Sequence, residues 1–371
     1  MEVAVTGIGL ISAVGNLAES WQRLLNGESA IKLARPLAQL PPRPLGLIKS
    51  VPSHLTDLIP QLVEEAANHA GLMLPLPNCG VVISSSRGYQ GRLEQLAFEK
   101  LVSKTDFPSL LPQMVGIEAA RKIGARGPVL APMAACATGI WAIALACELI
   151  ETGQCQRAIA GAIETPITPL TLAGFERMGA LAKTGAYPFD RYREGLVLGE
   201  GGAVFVLESL ESARKRSAPI WGRVLGFGLT NDACYPNAPE LTGKSALVAI
   251  EQCLGRSQLS VADIDYIHAH GTATKLNDSH EAKLIEKTFP QGVAVSSTKG
   301  ATGHTLGASG ALGLAFCLMA LKYQILPPCV GLKEPEFNLD LVKKARQKRV
   351  RNALCFSFGF GGQNAVISIN N

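Results

Sequence analysis

Gly127–Gly153 reads GPVLAPMAACATGIWAIALACELIETG, and the fold is decided by how this stretch is read. Pro128–Met133 is a short apolar run with the character of a buried strand. Two alanines lead to Cys136, and Ala137-Thr138-Gly139 follow it. Ile140–Cys147 then carries no charge before Glu148. Helix formers dominate that run, and Gly153 supplies a C-terminal stop. A helix with no polar face over its first turns is wrapped by core on all sides. The spacing therefore puts a cysteine where a strand turns into a buried helix. There the helix dipole favours a thiolate, and free backbone N–H groups can hold an anion. Cys136 is a candidate nucleophile beside a candidate oxyanion hole. The alternative is a structural thiol that fills core space, one of nine cysteines.

Upstream, Val3–Val5 reads as a strand entering a Gly7-x-Gly9 turn, and Trp21–Leu25 as a short helix closed by Asn26-Gly27. The third glycine and the following acidic residue of a dinucleotide fingerprint are missing. Ser29–His54, with four prolines between 36 and 44, reads as an irregular connection. Helical spacing marks Leu55–Gly71, Leu93–Ser103 and Gln113–Ile123, and Cys79–Ser85 is a buried strand. Downstream come strands at Arg157–Ile163 and Ala203–Leu207, with Ser217–Pro219 as a junction. The second half repeats the same grammar. Strands at Trp221–Gly226, Ile264–His268, Val293–Ser297, Arg351–Phe356 and Ala365–Ile369 alternate with helices at Lys244–Leu254, Ser279–Phe289 and Gly310–Tyr323. Strands apolar on both faces between helices mean α/β architecture with mostly parallel, covered sheets. The boundary falls near 216/217, and an internal duplication fits the pattern.

Composition removes several classes. The chain has 371 residues, 47% hydrophobic and 18% charged, so it buries a sizeable core. A net charge of +5, spread along the chain, is weak support for nucleic acid and suits an acidic partner equally well. The cysteines are scattered, with no Cys-x-x-Cys pair, which argues for a reducing compartment and against a disulfide framework or structural zinc. The N-terminus lacks the basic region of a secretory signal, and Thr305–Leu321 is a short apolar stretch read as a core helix and not a membrane span. A cytoplasmic protein is expected.

Three turns in the second half close strands, where α/β sites form. They are His268-Ala-His270-Gly-Thr-Ala-Thr274, Ser297-Thr-Lys299-Gly-Ala-Thr-Gly-His304 and Phe356-Ser-Phe-Gly-Phe360-Gly-Gly-Gln-Asn364. His270 and His304 each sit beside glycine and threonine at a strand end, whereas His54, His69 and His280 read as ordinary core or turn residues. No His-x-x-x-His spacing supports a metal site, and the cysteine context differs from a papain-like protease.

Together Ala134-Ala-Cys136-Ala-Thr-Gly139, His270-Gly-Thr-Ala-Thr274, Ser297-Thr-Lys299-x-x-Thr-Gly-His304 and Gly359-Phe-Gly-Gly-x-Asn364 resemble the motif set of the β-ketoacyl-acyl carrier protein synthases, in the branch with a Cys-His-His site. Val5-Thr-Gly-x-Gly9, Pro188-Phe-Asp190 and Gly199-Glu-Gly201 fit in the expected order, so the likeness spans nearly the whole chain. It implies a thiolase fold, with two similar α/β halves (1–216 and 217–371) in five αβαβα layers. It implies decarboxylating condensation of an acyl group on Cys136 with malonyl-acyl carrier protein, giving a 3-oxoacyl product in fatty-acid or polyketide synthesis. The backbone N–H groups of Cys136 and Phe360 would form the oxyanion hole, and His270 and His304 would donate to the malonyl thioester oxygen. Lys299 would support the site and orient His304. Thr272 and Thr274 would bind the phosphopantetheine arm, with Phe360 as a gate. No metal or separate cofactor is implied. The implied partners are acyl carrier protein and a second subunit, in a homodimer or a heterodimer with a related synthase.

The sequence also departs from that pattern. Gly313 stands where the family commonly has a glutamate, Pro52–Leu58 replaces a basic segment, and Lys100–Pro112 and Lys183–Tyr187 are short. The basic run Lys343–Arg349 reads as a solvated loop or a substitute carrier-protein patch. Two rival functions remain. One is a non-condensing partner resembling a chain-length factor. The other is a coenzyme A-dependent thiolase, which would need a second cysteine such as Cys355.

Overall fold

The computed structural model describes residues 2–36, 40–99 and 107–371. Its first half contributes strands β1 (Val3–Ser12), β2 (Gly80–Ser84), β3 (Val129–Leu130), β4 (Arg157–Glu164) and β5 (Gly201–Ser209). The second contributes β6 (Gly222–Asn231), β7 (Tyr266–His268), β8 (Ala294–Ser296), β9 (Asn352–Gly359) and β10 (Gln363–Asn370). The two sets take the same spatial order, β3-β2-β4-β5-β1 and β8-β7-β9-β10-β6. In each, the last three strands of that order run antiparallel and the first three parallel. The expectation of mostly parallel sheets is therefore corrected to mixed sheets. β9 turns directly into β10 through Phe360–Gly362, and so short a connection permits only an antiparallel return. A three-residue contact, Val3–Val5 against Gly222–Val224, joins the sheets edge to edge.

Five layers follow from where apolar surface falls. The helices Thr138–Glu151 and Ser309–Tyr323 lie against each other between the sheets, and every residue from Ser309 to Leu321 is buried. Each leucine or phenylalanine fully buried there stabilises the fold by roughly 2 kcal/mol. The uncharged stretch near Thr305–Leu321 is thus a core helix, as expected. The outer helices are one-sided. Leu55–His69 buries Leu55, Leu58, Ile59, Leu62, Val63 and Ala66, the stripe of an amphipathic helix, against the first sheet. Lys244–Ser257 and Lys275–Thr288 cover the second sheet.

The central helices open alike. A 3-10 turn, Ala135–Ala137 or Leu306–Ala308, precedes each. Both turns begin with a non-glycine residue in the left-handed region, Ala135 at φ +46° and Leu306 at φ +43°. ACATG at 135–139 and LGASG at 306–310 therefore hold corresponding places in the two halves.

Three local expectations are corrected. Gly7 and Gly9 do not make a turn; they lie inside β1, because the Leu55–His69 helix crosses there. A Cβ would come 2.2 Å from the Ala66 carbonyl oxygen at Gly7 and 2.3 Å from the Leu62 carbonyl oxygen at Gly9. Pro128–Met133 is not a buried strand: only Val129–Leu130 pairs, at the sheet edge, and Val129, Leu130 and Met133 are exposed. Ser29–His54 includes a small hairpin, Lys32–Ala34 with Arg43–Leu45. The end of the Leu93–Ser103 helix and most of the shortened Lys100–Pro112 stretch lie outside the described residues.

Candidate active site

Cys136 sits in the middle of the Ala135–Ala137 turn. A left-handed alanine persists only where its surroundings hold it. Thr138 Oγ1 accepts from the Ala134 N–H at 2.9 Å and donates to the Ala135 carbonyl at 2.7 Å. From the other half, Ser357 Oγ donates to the Cys136 carbonyl at 2.9 Å. The end of β9 presses on the same turn. A Cβ on Gly359 would lie 2.8 Å from the Ala134 carbonyl oxygen, and only glycine admits that approach. The next residue, Phe360, directs its backbone N–H at the Cys136 thiol.

His270 follows β7, and His304 lies between β8 and the second central helix. Their rings meet edge to face, with centroids 5.4 Å apart. The main chain at each is fixed. Glu281 accepts from the His270 and Gly271 N–H groups at 2.6 and 2.7 Å. The His304 N–H donates to the Val197 carbonyl at 2.6 Å, and the His304 carbonyl accepts from Gly199 at 3.0 Å. Cys136, His270, His304, Thr272, Thr274 and Phe360 line one cavity of about 360 Å³. Thr272 and Thr274 share a 2.9 Å hydrogen bond, and Thr274 also caps the Lys275–Thr288 helix. The Phe360 ring stacks on Phe175 with centroids 6.0 Å apart.

Burial governs the charges. It holds both His270 and His304 well below the ordinary histidine range, and the Lys299 ammonium adds to this, so both rings are neutral near pH 7. It also pushes the Cys136 thiol up to about 11, against the opposing pull of Lys299 and the Phe360 N–H. The helix end is expected to favour a thiolate; in this closed site burial is the largest influence on the Cys136 thiol and acts the other way. Lys299 is lowered by burial, with Glu281 as its chief counter-charge. Its ammonium donates to the His270 carbonyl, so it braces the loop of His270, where the sequence had suggested His304.

The space at Gly313 is already taken. A Cβ there would lie 2.7 Å from His268 Nδ1 and 2.9 Å from Cys355 Sγ. His268 and Cys355 fill the volume behind the site, 4.0 Å apart, and the other ring nitrogen of His268 meets Thr298 Oγ1 at 3.1 Å. Cys355 does not line the cavity, and neither does the Lys343–Arg349 run. Sequence reasoning missed three buried groups. Glu281 is one; its signal was a carboxylate on the buried face of the helix after His270. Glu164 is another. It accepts from Ser85 and Ser86 hydroxyls, each at 2.6 Å, and from the Gly307 N–H at 3.2 Å, tying the loop after β2 to the Leu306–Ala308 turn. Ser309, beside His304, is the third.

Solved structures that superimpose on the whole chain define the class, a thiolase fold. The ishigamide ketosynthase/chain length factor is 27% identical with a TM-score of 0.93, covering 100% of this chain and 99% of that one. A type II polyketide ketosynthase bound to a hexaketide, solved in complex with its acyl-carrier protein, is 26% identical with a TM-score of 0.91 at the same coverage. Residues 53–213 match the β-ketoacyl synthase N-terminal domain and residues 221–333 its C-terminal domain. The 3-oxoacyl-[acyl-carrier-protein] synthase 2 of Coxiella burnetii is 32% identical over 407 residues, spanning 99% of this chain and 98% of its own. The chain belongs to the β-ketoacyl synthase family.

Proposed function

We propose that the chain is a 3-oxoacyl-acyl carrier protein synthase, an acyltransferase that condenses an acyl group with malonyl-acyl carrier protein and releases carbon dioxide. The observation that carries this is the convergence of Cys136, two neutral histidines and the Phe360 N–H on one cavity. Cys136 attacks the acyl thioester. A new S–C bond forms, the carrier's S–C bond breaks, and the thiol proton passes to the departing carrier sulfur. The N–H groups of Cys136 and Phe360 hold the oxyanion. Malonyl-carrier protein then loses carbon dioxide, and the electron pair left on its carbon spreads onto the thioester oxygen. His270 and His304 stabilise that enolate as N–H donors. The enolate carbon attacks the acyl carbonyl, a C–C bond forms as the Cys136 S–C bond breaks, and the released thiolate takes up a proton from solvent.

Lys299 braces His270 and favours the Cys136 thiolate. Thr272 and Thr274 bind the phosphopantetheine arm, and Phe360 gates the acyl side with Phe175. Substrates arrive on acyl carrier protein in the cytoplasm, with no further cofactor. An open trough lined by Arg43, Lys183, Arg191, Arg193 and Lys275, with Glu176 and Glu194 among them, adjoins the cavity, and its excess of cations suits an acidic carrier. The halves 1–216 and 217–371 carry the nucleophile and the histidines respectively. The assembly is a dimer, with itself or with a related synthase.

The test is release of labelled carbon dioxide from malonyl-carrier protein with formation of 3-oxoacyl product, abolished in Cys136→Ala. The likeness to the ishigamide ketosynthase/chain length factor keeps a second reading open, a non-condensing partner that shapes another synthase's pocket. That reading predicts no product from the chain alone, and product formation unchanged by Cys136→Ala once the synthase it partners is present.

A further inference from the structure

Ser309 is buried at the start of the second central helix, and its Oγ lies 2.7 Å from His304 Nδ1. A hydroxyl can give or take a proton, so this contact alone does not orient the bond. The next neighbour does. Thr305 is fully buried, and among the described residues its hydroxyl meets only Ser309 Oγ, at 3.2 Å. A buried hydroxyl left without an acceptor is costly. If Thr305 donates to Ser309, the Ser309 proton points at His304 Nδ1 and every hydroxyl proton is placed. If Nδ1 instead donated to Ser309, the Ser309 proton would turn to Thr305 and strand the Thr305 proton.

We propose that Ser309 is a positioning residue that holds His304 in the tautomer with its proton on Nε2, keeping that ring a ready N–H donor. This rests on the condensing role proposed above only for its catalytic consequence. The device belongs to one histidine: His270 Nδ1 is buried with no hydrogen-bond partner among the described residues. It also follows from the pairing of the halves. Thr138, at the corresponding place, spends its hydroxyl on the main chain of the Cys136 turn, whereas Ser309 spends its own on a ring.

The test has two arms. In the full chain labelled with 15N-histidine, with His304 signals assigned by their loss in His304→Asn, wild-type His304 should show a protonated Nε2 and a bare Nδ1. Ser309→Ala should give a mixture of tautomers, and Ser309→Thr, which keeps the hydroxyl, should restore one. In parallel, Ser309→Ala should slow carbon dioxide release from malonyl-carrier protein about 5- to 10-fold, the worth of one hydrogen bond, and leave acylation of Cys136 unchanged. A protonated Nδ1 in the wild type overturns the proposal, as does a Ser309→Ala variant that slows both steps alike. If the wild type releases no carbon dioxide at all, the condensing reading fails, and the tautomer measurement still decides the role of Ser309.

Discussion

The ammonium of Lys299 donates to the main-chain carbonyl of His270, so one buried charge is anchored to the loop of one histidine and influences three reactive side chains. Lys299→Met removes that charge and its hydrogen bond to the His270 carbonyl, and takes from buried Glu281 a favourable charge. Losing a buried charged hydrogen bond costs about 2 kcal/mol, which urea unfolding will show. Because Lys299 is the strongest influence that favours the Cys136 thiolate, alkylation of Cys136 by iodoacetamide should need higher pH in Lys299→Met. A variant as stable as the wild type, with an unmoved alkylation profile, would show that the charge does neither job.

The neutral histidines make stability depend on pH with a definite sign. Folded His270 and His304 resist protonation well below 6.5, while the unfolded chain takes up protons near that value. Their contribution is fully present above about pH 6.5 and declines as pH falls, by roughly 1.4 kcal/mol per pH unit for each histidine. Chemical unfolding at pH 6.5 and 5.5 should show a smaller drop in His270→Gln than in the wild type, by about that amount. Equal drops would mean that His270 is charged when folded.

The residues that could be read from sequence are those whose chemistry is written into a local turn. Cys136, His270, His304 and Phe360 each sit beside glycine or small residues in a connection between elements, and the fold brings all four to one cavity. What stayed hidden depended on distant neighbours. Glycines in β1 look like a turn until a helix backbone 2.2 Å from a would-be Cβ explains them. Glu281 and Ser309 belong to no local motif, and their roles show only when their helices are packed against the histidine loops. Val129 and Leu130 look buried, because an apolar run does not say whether the chain's own core or another molecule covers it.

Gly313 gives a packing prediction. A methyl group there would meet His268 Nδ1 at 2.7 Å and Cys355 Sγ at 2.9 Å, so Gly313→Ala should destabilise by about 2 kcal/mol through overpacking. Combined with His268→Ala, which opens the space, its cost should shrink markedly, a coupling visible in a double-mutant cycle of thermal unfolding. Strict additivity would contradict the contact. By the same reasoning Gly313→Glu should not improve activity, since the carboxylate has no room while His268 and Cys355 stand behind the site.

The open side of β3 gives the last. Val129 and Leu130 are 37% and 39% exposed at the end of the first sheet, and Met133 just beyond is 53% exposed. An unpaired edge strand with apolar side chains is a template for another chain, because its backbone groups and its apolar surface gain from the same contact. The proposed dimer should use this edge. Leu130→Lys places a charge in the joint and should weaken association about tenfold or more in sedimentation velocity. A conservative Leu130→Ile should leave the dimer intact, separating charge from any change of shape. If the wild type sediments as a monomer at micromolar concentration and gains a partner only when a related synthase is added, the edge serves a heterodimer, and Leu130→Lys should then abolish that pairing.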